Sequence, residues 1–493
     1  MGEYQPFTLK GKTGDWEIVI GLEVHAQIIS RSKLFSRASS DFGAPANSHV
    51  ALFDSALPGQ LPTINQECVK QAVRTGIALQ AKIHQRSVFA RKNYFYADLP
   101  QGYQISQFDK PIVGEGSLTI ELEDGYQKTI GIERLHLEQD AGKSIHDLSP
   151  HESYIDLNRC GVGLMEIVSK PDMNSPEEAG LYVAKLRSLL RHINSCDGNM
   201  QQGSLRADVN VSVRKMGDKN LGTRAELKNI NSIKFVRDAI LVEAKRQIAK
   251  LENGEKIIQE TRLYDADKNQ TRPMRDKEDA ADYRYFPDPD LLPLVLADDF
   301  VAACQASLPP LPDEKKQQWQ TLYDLPANDA RQLLAEKDIA DYFEAGAIAL
   351  EDKTSAKAFA NWILGELFAH LNKHNLSIVD SPIPPISLAG LVNVLAAGLI
   401  SGKMAKEVFV AMWQSGKTAK HIISEKSLAQ VSDKGEIEKW AQQVIKENPA
   451  QVADYKNGNE KLFGFLVGQL MKLSKGQANP ALANQVLKDL LSK

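Results

Sequence analysis

The hydrophobic periodicity of this chain changes once along its length, and that change limits the possible fold more than any other feature. Before about Pro293, several stretches alternate polar and apolar residues, as strands with one buried face do; the clearest are residues 16–25 and 208–214. After the proline-rich segment 308–312, apolar residues recur almost everywhere at helical spacing. The fold class is therefore predicted to be α+β, with an all-helical second part.

The length of 493 residues is enough for two to four domains at ~150 residues each. A second proline-rich break, at 381–385, separates two helical regions. We predict a large α+β domain over residues 1–297, a helical domain over 298–418 and a small helical tail over 419–493. Helices are also expected within the first domain, because Ser175-Pro176-Glu177-Glu178 is a capping box with proline at the first helical position.

Charge, cysteine content and apolar runs exclude several classes of protein. A net charge of −4 argues against a chain that is basic overall, although a local basic face stays compatible with it. The longest apolar run, residues 388–400, is well short of the ~20 residues that cross a bilayer, and the N-terminus resembles neither a signal nor a transit peptide. Four scattered cysteines cannot form a disulfide framework or a zinc clamp. We expect a cytoplasmic protein of bacterial type with no membrane segment.

Acidic residues and histidines mark two predicted strands. Glu23 and His25 share one face of the first strand, because residues two apart point to the same side. A lone pair of this kind is more often a surface or hydrogen-bonded feature than a metal site. A second predicted strand, residues 129–140, carries four polar side chains on one face, which also fits the wet face of an antiparallel sheet. These four are Arg134, His136, Glu138 and Asp140.

A third carboxylate, Glu166, stands in the apolar run 164–168, where a charge is seldom buried without a partner or a metal. If the strands are neighbours, the candidates form an oxygen-rich site with one imidazole. Such a donor set suits Mg²⁺ or Mn²⁺ better than zinc. Its members are Glu23, His25, Glu138 and Glu166.

Phosphate contacts, if there are any, cannot come from a Walker A loop. The three Gly-Lys-Ser/Thr fragments, which begin at residues 11, 142 and 416, all lack the glycine that this loop requires five positions earlier. Nucleotide binding would then depend on a metal and on scattered basic groups, as in kinases. Residues 91–96 interleave basic and aromatic side chains, which fits phosphates and stacked bases but equally an ordinary strand with aromatics in the core. No serine elbow and no nucleophilic cysteine is evident.

Short motifs follow one another along the whole chain in a fixed order. In the first part they are Ile20-Gly21-Leu22-Glu23-Val24-His25, Lys92-Asn93-Tyr94-Phe95-Tyr96, Gly102 to Gln107, Leu135-His136-Leu137-Glu138, Asp140 to Lys143, Glu166 to Ser169, Ala225 to Asn229 and Asp282 to Pro287. Near the end they are Gly464 to Gln469 and Gly476 to Pro480. Together they resemble the GatB family, the B subunits of aspartyl/glutamyl-tRNA(Asn/Gln) amidotransferases, and the last two resemble its YqeY-like end.

The resemblance implies a fold and a function. It implies a kinase-like cradle domain with an antiparallel sheet, a helical domain and an all-α YqeY-like tail. It implies an ATP-dependent carbon–nitrogen ligase that works in a heterotrimer with an amidase and a small third chain. Misacylated Glu-tRNA(Gln) or Asp-tRNA(Asn) would be phosphorylated on the side-chain carboxylate and then amidated with ammonia that the amidase releases from glutamine. The alternative is a non-catalytic tRNA-binding scaffold within the same complex.

Residue roles follow from matching these motifs. The resemblance implies that Mg²⁺ is held by the same four residues that the strand pattern suggested, which would also be the catalytic residues: Glu23, His25, Glu138 and Glu166. Contacts with ATP or the tRNA acceptor end are expected from Lys92, Tyr94, Tyr96, Arg206, Asp208, Asn210, Lys228, Asn231 and Arg284. Contact with the tRNA body is expected from Lys472 and Lys475, in a segment, residues 461–493, with five lysines and one aspartate.

Four positions depart from the family's usual pattern. Gln139 stands where relatives carry a second acid, which leaves Glu138 as the only carboxylate at that place. The others are Ala97 and Gly163, where proline is usual, and Lys170, where glutamate is usual.

Overall fold

A computed structural model describes residues 6–274, 283–426, 434–474 and 478–492. The chain divides into two compact units, Met1–Pro312 and Asp313–Lys493. The first unit mixes strands and helices and the second is helical, which confirms the predicted change of structure along the chain. Within the described residues, no helix has the length and apolar character needed to cross a membrane.

The described part of the first unit is built on one large sheet, with three small sheets beside it. Its strands are β1 Leu9–Gly11, β2 Gly14–Gln27, β3 Arg86–Ser87, β4 Ala90–Asn93, β5 Tyr103–Ser106, β6 Gly116–Glu121, β7 Gln127–Gln139, β8 Lys143–Ile145, β9 Tyr154–Asp156, β10 Gly163–Ser169, β11 Leu205–Lys215, β12 Ala225–Lys228, β13 Thr261–Asp265, β14 Gln270–Pro273, β15 Phe286–Pro287 and β16 Leu294–Val295. The large sheet has the order β14-β13-β12-β11-β2-β10-β7-β6, with β1 paired to β2. Among the strands that the structure describes in this sheet, only β12 and β13 are parallel neighbours.

The long strand β2 lies in the middle of this sheet and has two different faces. Ile20, Leu22 and Val24 are buried in the apolar core. Glu23 and His25 alternate with them and therefore point to the opposite face. The register places Glu166 of β10 opposite His25, and Asp208 of β11 opposite Glu23. Polar residues from three strands therefore lie side by side on one face of the sheet.

Within its described residues, the first unit has four helices: α1 Gln66–Ala78, α2 Pro176–His192, α3 Ile233–Glu252 and α4 Asp298–Ala306. Helix α2 begins as the capping box predicts, since the Ser175 hydroxyl accepts a hydrogen bond from the Glu178 backbone N–H. Apolar residues of α2 and α3, such as Tyr182 and Ile240, share one core with Leu22 of β2. These helices therefore cover the apolar face of the sheet and leave the polar face open.

The second unit consists of twelve helices within the described residues. They are α5 Pro312–Tyr323, α6 Ala327–Leu334, α7 Lys337–Ala347, α8 Ala356–Trp362, α9 Phe368–His374, α10 Pro385–Ala396, α11 Gly402–Ser415, α12 Ala419–Glu425, α13 Lys434–Glu447, α14 Pro449–Lys456, α15 Lys461–Leu473 and α16 Pro480–Leu491. Short 3₁₀ turns lie at Lys353–Ser355 and Ile378–Asp380, and a π turn at Ile363–Leu367.

Packing places the domain boundaries differently from the sequence prediction. Helix α4 lies beyond residue 297, yet it buries Cys304 in the core of the first unit, so it belongs with the sheet. Helix α12 lies beyond residue 418, yet Ile422 packs with the helices of residues 319–423. A separate apolar cluster holds residues 437–491 together. Sequence breaks at prolines mark where helices end, but side-chain burial decides which core each helix joins.

Candidate metal centre

Three side chains on neighbouring strands converge on the polar face of the large sheet. His25 of β2, Glu138 of β7 and Glu166 of β10 each offer a ligand atom, and these atoms lie within 4.8 Å of one another. Nδ1 of His25 is 3.4 Å from Oε1 of Glu138 and 4.0 Å from Oε2 of Glu166. Three of the four predicted ligands therefore meet in space, although they come from distant parts of the chain.

A second histidine, His136, completes the same cluster. It lies two residues before Glu138 on β7 and opposite Glu166 of β10. Its Nε2 is 3.4 Å from Oε2 of Glu166 and 3.7 Å from Oε2 of Glu138. The sequence prediction placed His136 on this face but did not include it in the site. Its spacing of two from Glu138 was the signal that could have added it.

The cluster holds two buried carboxylates whose charge is balanced by imidazoles. Burial raises the pKa of Glu138, but the nearby His136 and His25 outweigh it and hold that pKa well below its ordinary value. Burial likewise opposes ionisation of Glu166, and the charge of His136 leaves its pKa lowered. Both groups are therefore anions in a site from which most water is excluded.

The pKa values of the two imidazoles shift upward, in the opposite direction to those of the carboxylates. Burial lowers the pKa of His25, but Asp208 and Glu138 overcome this and raise it to about 10. Burial also lowers the pKa of His136, and the carboxylates of Glu166 and Glu138 raise it to about 9. Protons on the two imidazoles therefore supply the positive charge that balances the two carboxylates.

The donor set fits a hard divalent cation in place of that counter-charge. Oε2 of Glu138 and Nδ1 of His136 are buried and have no hydrogen-bond partner among the described residues. Two carboxylates with one or two imidazoles are ligands that Mg²⁺ or Mn²⁺ accepts, and His25 can coordinate once its proton is released. His25, Glu138 and Glu166 are the residues that could hold such an ion.

Glu23 is the exception among the four predicted ligands. It shares the face of His25, but its Oε1 accepts a hydrogen bond from Nδ2 of Asn210 at 3.0 Å and does not join the convergent group. Burial raises the pKa of Glu23, and the negative charge of Glu166 adds to the rise. Three of the four predicted ligands therefore converge, whereas the Glu23 carboxylate is held by Asn210 on the next strand and its place in the ligand set stays a prediction.

Asp208 and Lys228 lie on the other side of His25. Oδ2 of Asp208 is 3.7 Å from Nε2 of His25 and forms an ion pair with Lys228. Lys228 is also 2.9 Å from Oε1 of Glu226. Burial raises the pKa of Asp208, but His25 and Lys228 outweigh it and bring it to about 2. Asp208 and Lys228 are thus paired with each other beside His25, and their contact with ATP or the acceptor end stays a prediction.

The other predicted contacts lie around the cluster in different ways. Arg206 is bound to Oδ2 of Asp140 at 2.8 Å. The Lys92 ammonium lies 4.9 Å from the Tyr283 ring centre; burial lowers its pKa, and the charge of Glu138 outweighs this and raises it. The rings of Tyr94 and Tyr96 contact edge to face, and Tyr96 is exposed. Asn231 and Arg284 are exposed, at the start of α3 and next to β15 respectively.

Comparison with known proteins identifies the family. Residues 18–302 match the family model described as the GatB/GatE catalytic domain, and residues 341–491 match the one described as the GatB domain. The chain belongs to the GatB family. The candidate metal cluster lies within the region that matches the GatB/GatE catalytic domain.

Full-length relatives agree with this assignment. The B subunit of the aspartyl/glutamyl-tRNA(Asn/Gln) amidotransferase of Granulibacter bethesdensis is 57% identical, over 98% of this chain and 99% of its own length. The proteins of the same name from Paramagnetospirillum magneticum and Rickettsia conorii are each 55% identical, over 98% of this chain. They are matched over 98% and 99% of their own lengths.

Gln139, the most notable departure from the GatB pattern, has a structural role. Its side-chain Oε1 accepts a hydrogen bond from the Ile105 backbone N–H at 3.1 Å, and its backbone carbonyl accepts one from Gln104. Gln139 is buried and joins β7 to β5. An amide at this position therefore ties the C-terminal end of β7, the strand that carries Glu138, to β5.

The tail residues predicted to contact tRNA lie in the region that matches the GatB domain. Lys472 is exposed near the end of α15. Lys475 lies outside the described residues.

Proposed function

We propose that this chain is the B subunit of an aspartyl/glutamyl-tRNA amidotransferase and activates the side-chain carboxylate of misacylated tRNA with ATP. The observation that carries the proposal is the convergence of half-buried His25 with buried Glu138 and Glu166 on the open face of the GatB/GatE catalytic domain. Its relatives are named as one subunit of an amidotransferase, which supports a complex of several chains. The expected partners are an amidase, a small third chain and Glu-tRNA(Gln) or Asp-tRNA(Asn). This role places the chain in the cytoplasm.

The chemistry explains why a cation site is needed. A carboxylate is a poor acyl donor, so one of its oxygens first attacks the γ-phosphorus of ATP, which gives an acyl phosphate and releases ADP. Ammonia then attacks the acyl carbon, loses a proton, and inorganic phosphate leaves. Mg²⁺ held in this cluster would neutralise the negative charge of the phosphate oxygens. The proposed domain is a kinase-like cradle, as the resemblance to the GatB family implies, and both reaction steps would occur on its open polar face.

The surrounding residues have supporting tasks in this proposal. Lys92 adds a positive charge facing Glu138 and Glu166, at the place where phosphate charge would accumulate. Asp208 holds His25 from behind and leaves Nδ1 directed toward the carboxylates. Asn210 fixes Glu23 beside the cluster, close enough to contact a bound substrate.

Ammonia must reach the site from another chain in this proposal. The sequence lacks the Ser/Ser/Lys signature of amidases, so the chain should not hydrolyse glutamine alone. Ammonia must arrive unprotonated, because an ammonium ion has no lone pair for attack. A polar channel from the amidase to the metal cluster meets this requirement. Formation of glutamine-dependent product by the isolated chain would contradict this division of labour.

A Glu138→Gln variant tests the function, because it removes one charge and keeps the shape of the side chain. Acyl phosphate formation by the assembled complex should fall by about 10²–10³-fold or more, as when a group that stabilises transition-state charge is lost. Binding of tRNA should hardly change. The control is Glu115→Gln, an exposed residue paired with Lys170, which should leave both properties intact. Parallel loss of tRNA binding and activity in Glu138→Gln would favour the scaffold function instead.

The helical tail is proposed to contact the tRNA body. The support is the local charge of +4 over residues 461–493 and the exposure of Lys472 on α15. The proposal divides the work between a catalytic sheet and an RNA-binding tail. Deleting the residues after about 420 should weaken tRNA binding in the complex and leave any tRNA-independent ATP hydrolysis unchanged.

A further inference from the structure

Two histidines lie one helical turn apart on the surface of the second unit. His370 and His374 belong to α9, and residues four apart lie on the same side of a helix. Their rings are nearly parallel, with planes 16° apart and centres 6.4 Å apart. His374 is exposed and His370 is half-buried, so solvent reaches both imidazoles. Neither residue has a task in the proposed function.

Backbone contacts decide which nitrogen of each ring carries a hydrogen. Nδ1 of His370 lies 3.0 Å from the carbonyl oxygen of Glu366, and Nδ1 of His374 lies 2.8 Å from that of His370. A carbonyl oxygen can only accept, so each Nδ1 donates a hydrogen bond. Each uncharged ring then has its lone pair on Nε2. Among the described residues, neither Nε2 has a hydrogen-bond or ion-pair partner.

This arrangement is typical of histidines that bind metal ions. A histidine that holds an ion through one ring nitrogen almost always donates the hydrogen of the other, commonly to a backbone carbonyl, and this fixes the tautomer and the direction of the ring. Both rings on α9 meet this condition through the carbonyl four residues earlier. The helix therefore orients two nitrogen donors before any ion binds.

The distance between the two rings fits one shared ion. An ion about 2.0–2.1 Å from a ring nitrogen is about 3 Å from the ring centre, so two rings on one ion have centres up to about 6 Å apart. The observed 6.4 Å is close to this limit. Binding therefore requires only that the exposed ring of His374 turn slightly toward His370.

Aromatic side chains of the neighbouring helix α11 support the pair. The ring centre of Trp413 lies 5.2 Å from the ring centres of both histidines. Phe409 contacts His370 edge to face, with ring centres 5.0 Å apart. These contacts restrict the rings, so less conformational freedom is lost when an ion binds. They also place an indole next to both imidazoles, where it can report on an ion.

The end of the helix and the donor set indicate the kind of ion. Helix α9 ends at His374, and the carbonyls of a last helical turn carry partial negative charge that attracts a cation. The nearby carboxylate of Glu366 is paired with Lys406. Two imidazoles without a free carboxylate suit a borderline ion such as Zn²⁺ or Ni²⁺ better than Mg²⁺. The pair therefore differs in ligand chemistry from the oxygen-rich cluster on the sheet.

We propose that His370 and His374 form a second metal site, which binds one Zn²⁺ through both Nε2 atoms, with water in the remaining positions. An ion held by both rings links the last turn of α9 to the turn before it, and binding to the folded chain stabilises the helical unit. The proposal does not depend on the proposed function, because it involves neither ATP nor tRNA.

Trp413 allows a local test, because paramagnetic Ni²⁺ quenches the fluorescence of a nearby indole. Ni²⁺, which imidazoles also bind, is titrated into the full-length chain and into Trp413→Phe. The difference between the two titrations is the signal of Trp413, and quenching by Ni²⁺ at the cluster on the sheet cancels in it.

The same pair of titrations is made with two histidine variants. His374→Gln removes one of the two ligands. His421→Gln is the matched control, because His421 is also exposed on the second unit but has Glu425, not an imidazole, four residues away. Circular dichroism and the unfolding temperature show whether each variant is folded.

We expect the Trp413 signal to fall as one Ni²⁺ binds, and excess Zn²⁺, which does not quench, to restore it. Loss of a ligand in His374→Gln should weaken Ni²⁺ affinity at least about 10-fold, the least that loss of an outer partner causes. His421→Gln should leave the affinity unchanged. If the histidines only pack against Trp413, the folded His374→Gln protein keeps the wild-type affinity, or Ni²⁺ leaves Trp413 unquenched in the wild type. Either result would overturn the proposal.

Discussion

The two units of this chain bury very different side chains. In the first unit, carboxylates, imidazoles and amides are buried on and around the large sheet. In the second unit, Ser474 is the only buried polar or charged residue among those that the structure describes. Phe343 is typical of that unit, fully buried among the rings of Trp319, Tyr323 and Phe359.

This difference shows where chemistry is concentrated. Buried charges are costly unless they are paired or coordinate an ion, so a fold retains them where they have a task. The first unit retains Glu138 and Glu166 beside two histidines, and it is the region that matches a catalytic domain. The second unit gains its stability from apolar packing and presents polar side chains on its surface. Variants in the two units should therefore fail in different ways.

The largest expected effect on stability comes from the core of the second unit. Phe343→Ala should destabilise that unit by about 3–5 kcal/mol, because a large buried ring is lost and a cavity is left. Calorimetric unfolding of the full chain measures the change. Mn²⁺ binding by the first unit should stay at the wild-type level below the transition. The control is Val410→Ala, a partly exposed residue on α11 that should change stability by no more than about 0.5 kcal/mol. Loss of Mn²⁺ binding in folded Phe343→Ala would show that the two units are not independent in this respect.

A smaller effect is expected from the residue behind His25. Asp208→Asn keeps the shape of the side chain but removes the negative charge 3.7 Å from Nε2 of His25. Mn²⁺ affinity should fall by about 10- to 100-fold, as when partners that orient a metal-binding histidine are lost. Arg214→Gln is the matched control, because Arg214 lies on the same strand and face but pairs with Glu17 at 2.8 Å. Wild-type affinity in Asp208→Asn would mean that Asp208 does not hold His25 in its binding orientation.

The smallest effect is expected on the surface of the second unit. Lys472→Gln should weaken tRNA binding only a few-fold and lower the salt dependence of binding by about one charge. The affinity of the assembled complex for tRNA is measured at several salt concentrations. Lys256→Gln, an exposed lysine of the first unit, serves as the control. If the dependence of tRNA affinity on salt concentration is unchanged in Lys472→Gln, Lys472 does not contact the tRNA.

Alternation along single strands was sufficient to predict much of the sheet. The strand predicted over residues 16–25 is β2, Gly14–Gln27, and the one over 208–214 is β11, Leu205–Lys215. Each has one apolar face, so the period of two identifies it without knowledge of its neighbours. The start of α2 was also predictable, because the capping residues act within one turn.

Contacts between strands could not be predicted from the alternation of polar and apolar residues along one strand. Which strands pair, and in which register, depends on the whole fold, so the hydrogen bond from Asn210 to Glu23 could not be foreseen. For the same reason the ion pair between Asp208 and Lys228 could not be foreseen.

The most direct test of the cation site is a Mn²⁺ titration of the full-length chain, followed by the electron paramagnetic resonance signal of free Mn²⁺. His25, Glu138 and Glu166 should hold one Mn²⁺ per chain. The double variant Glu138→Gln and Glu166→Gln, if circular dichroism shows it folded, should lose affinity more than about 100-fold, beyond what loss of an outer partner causes. Undiminished binding of Mn²⁺ by the folded double variant would contradict the assignment of this cluster as the metal centre.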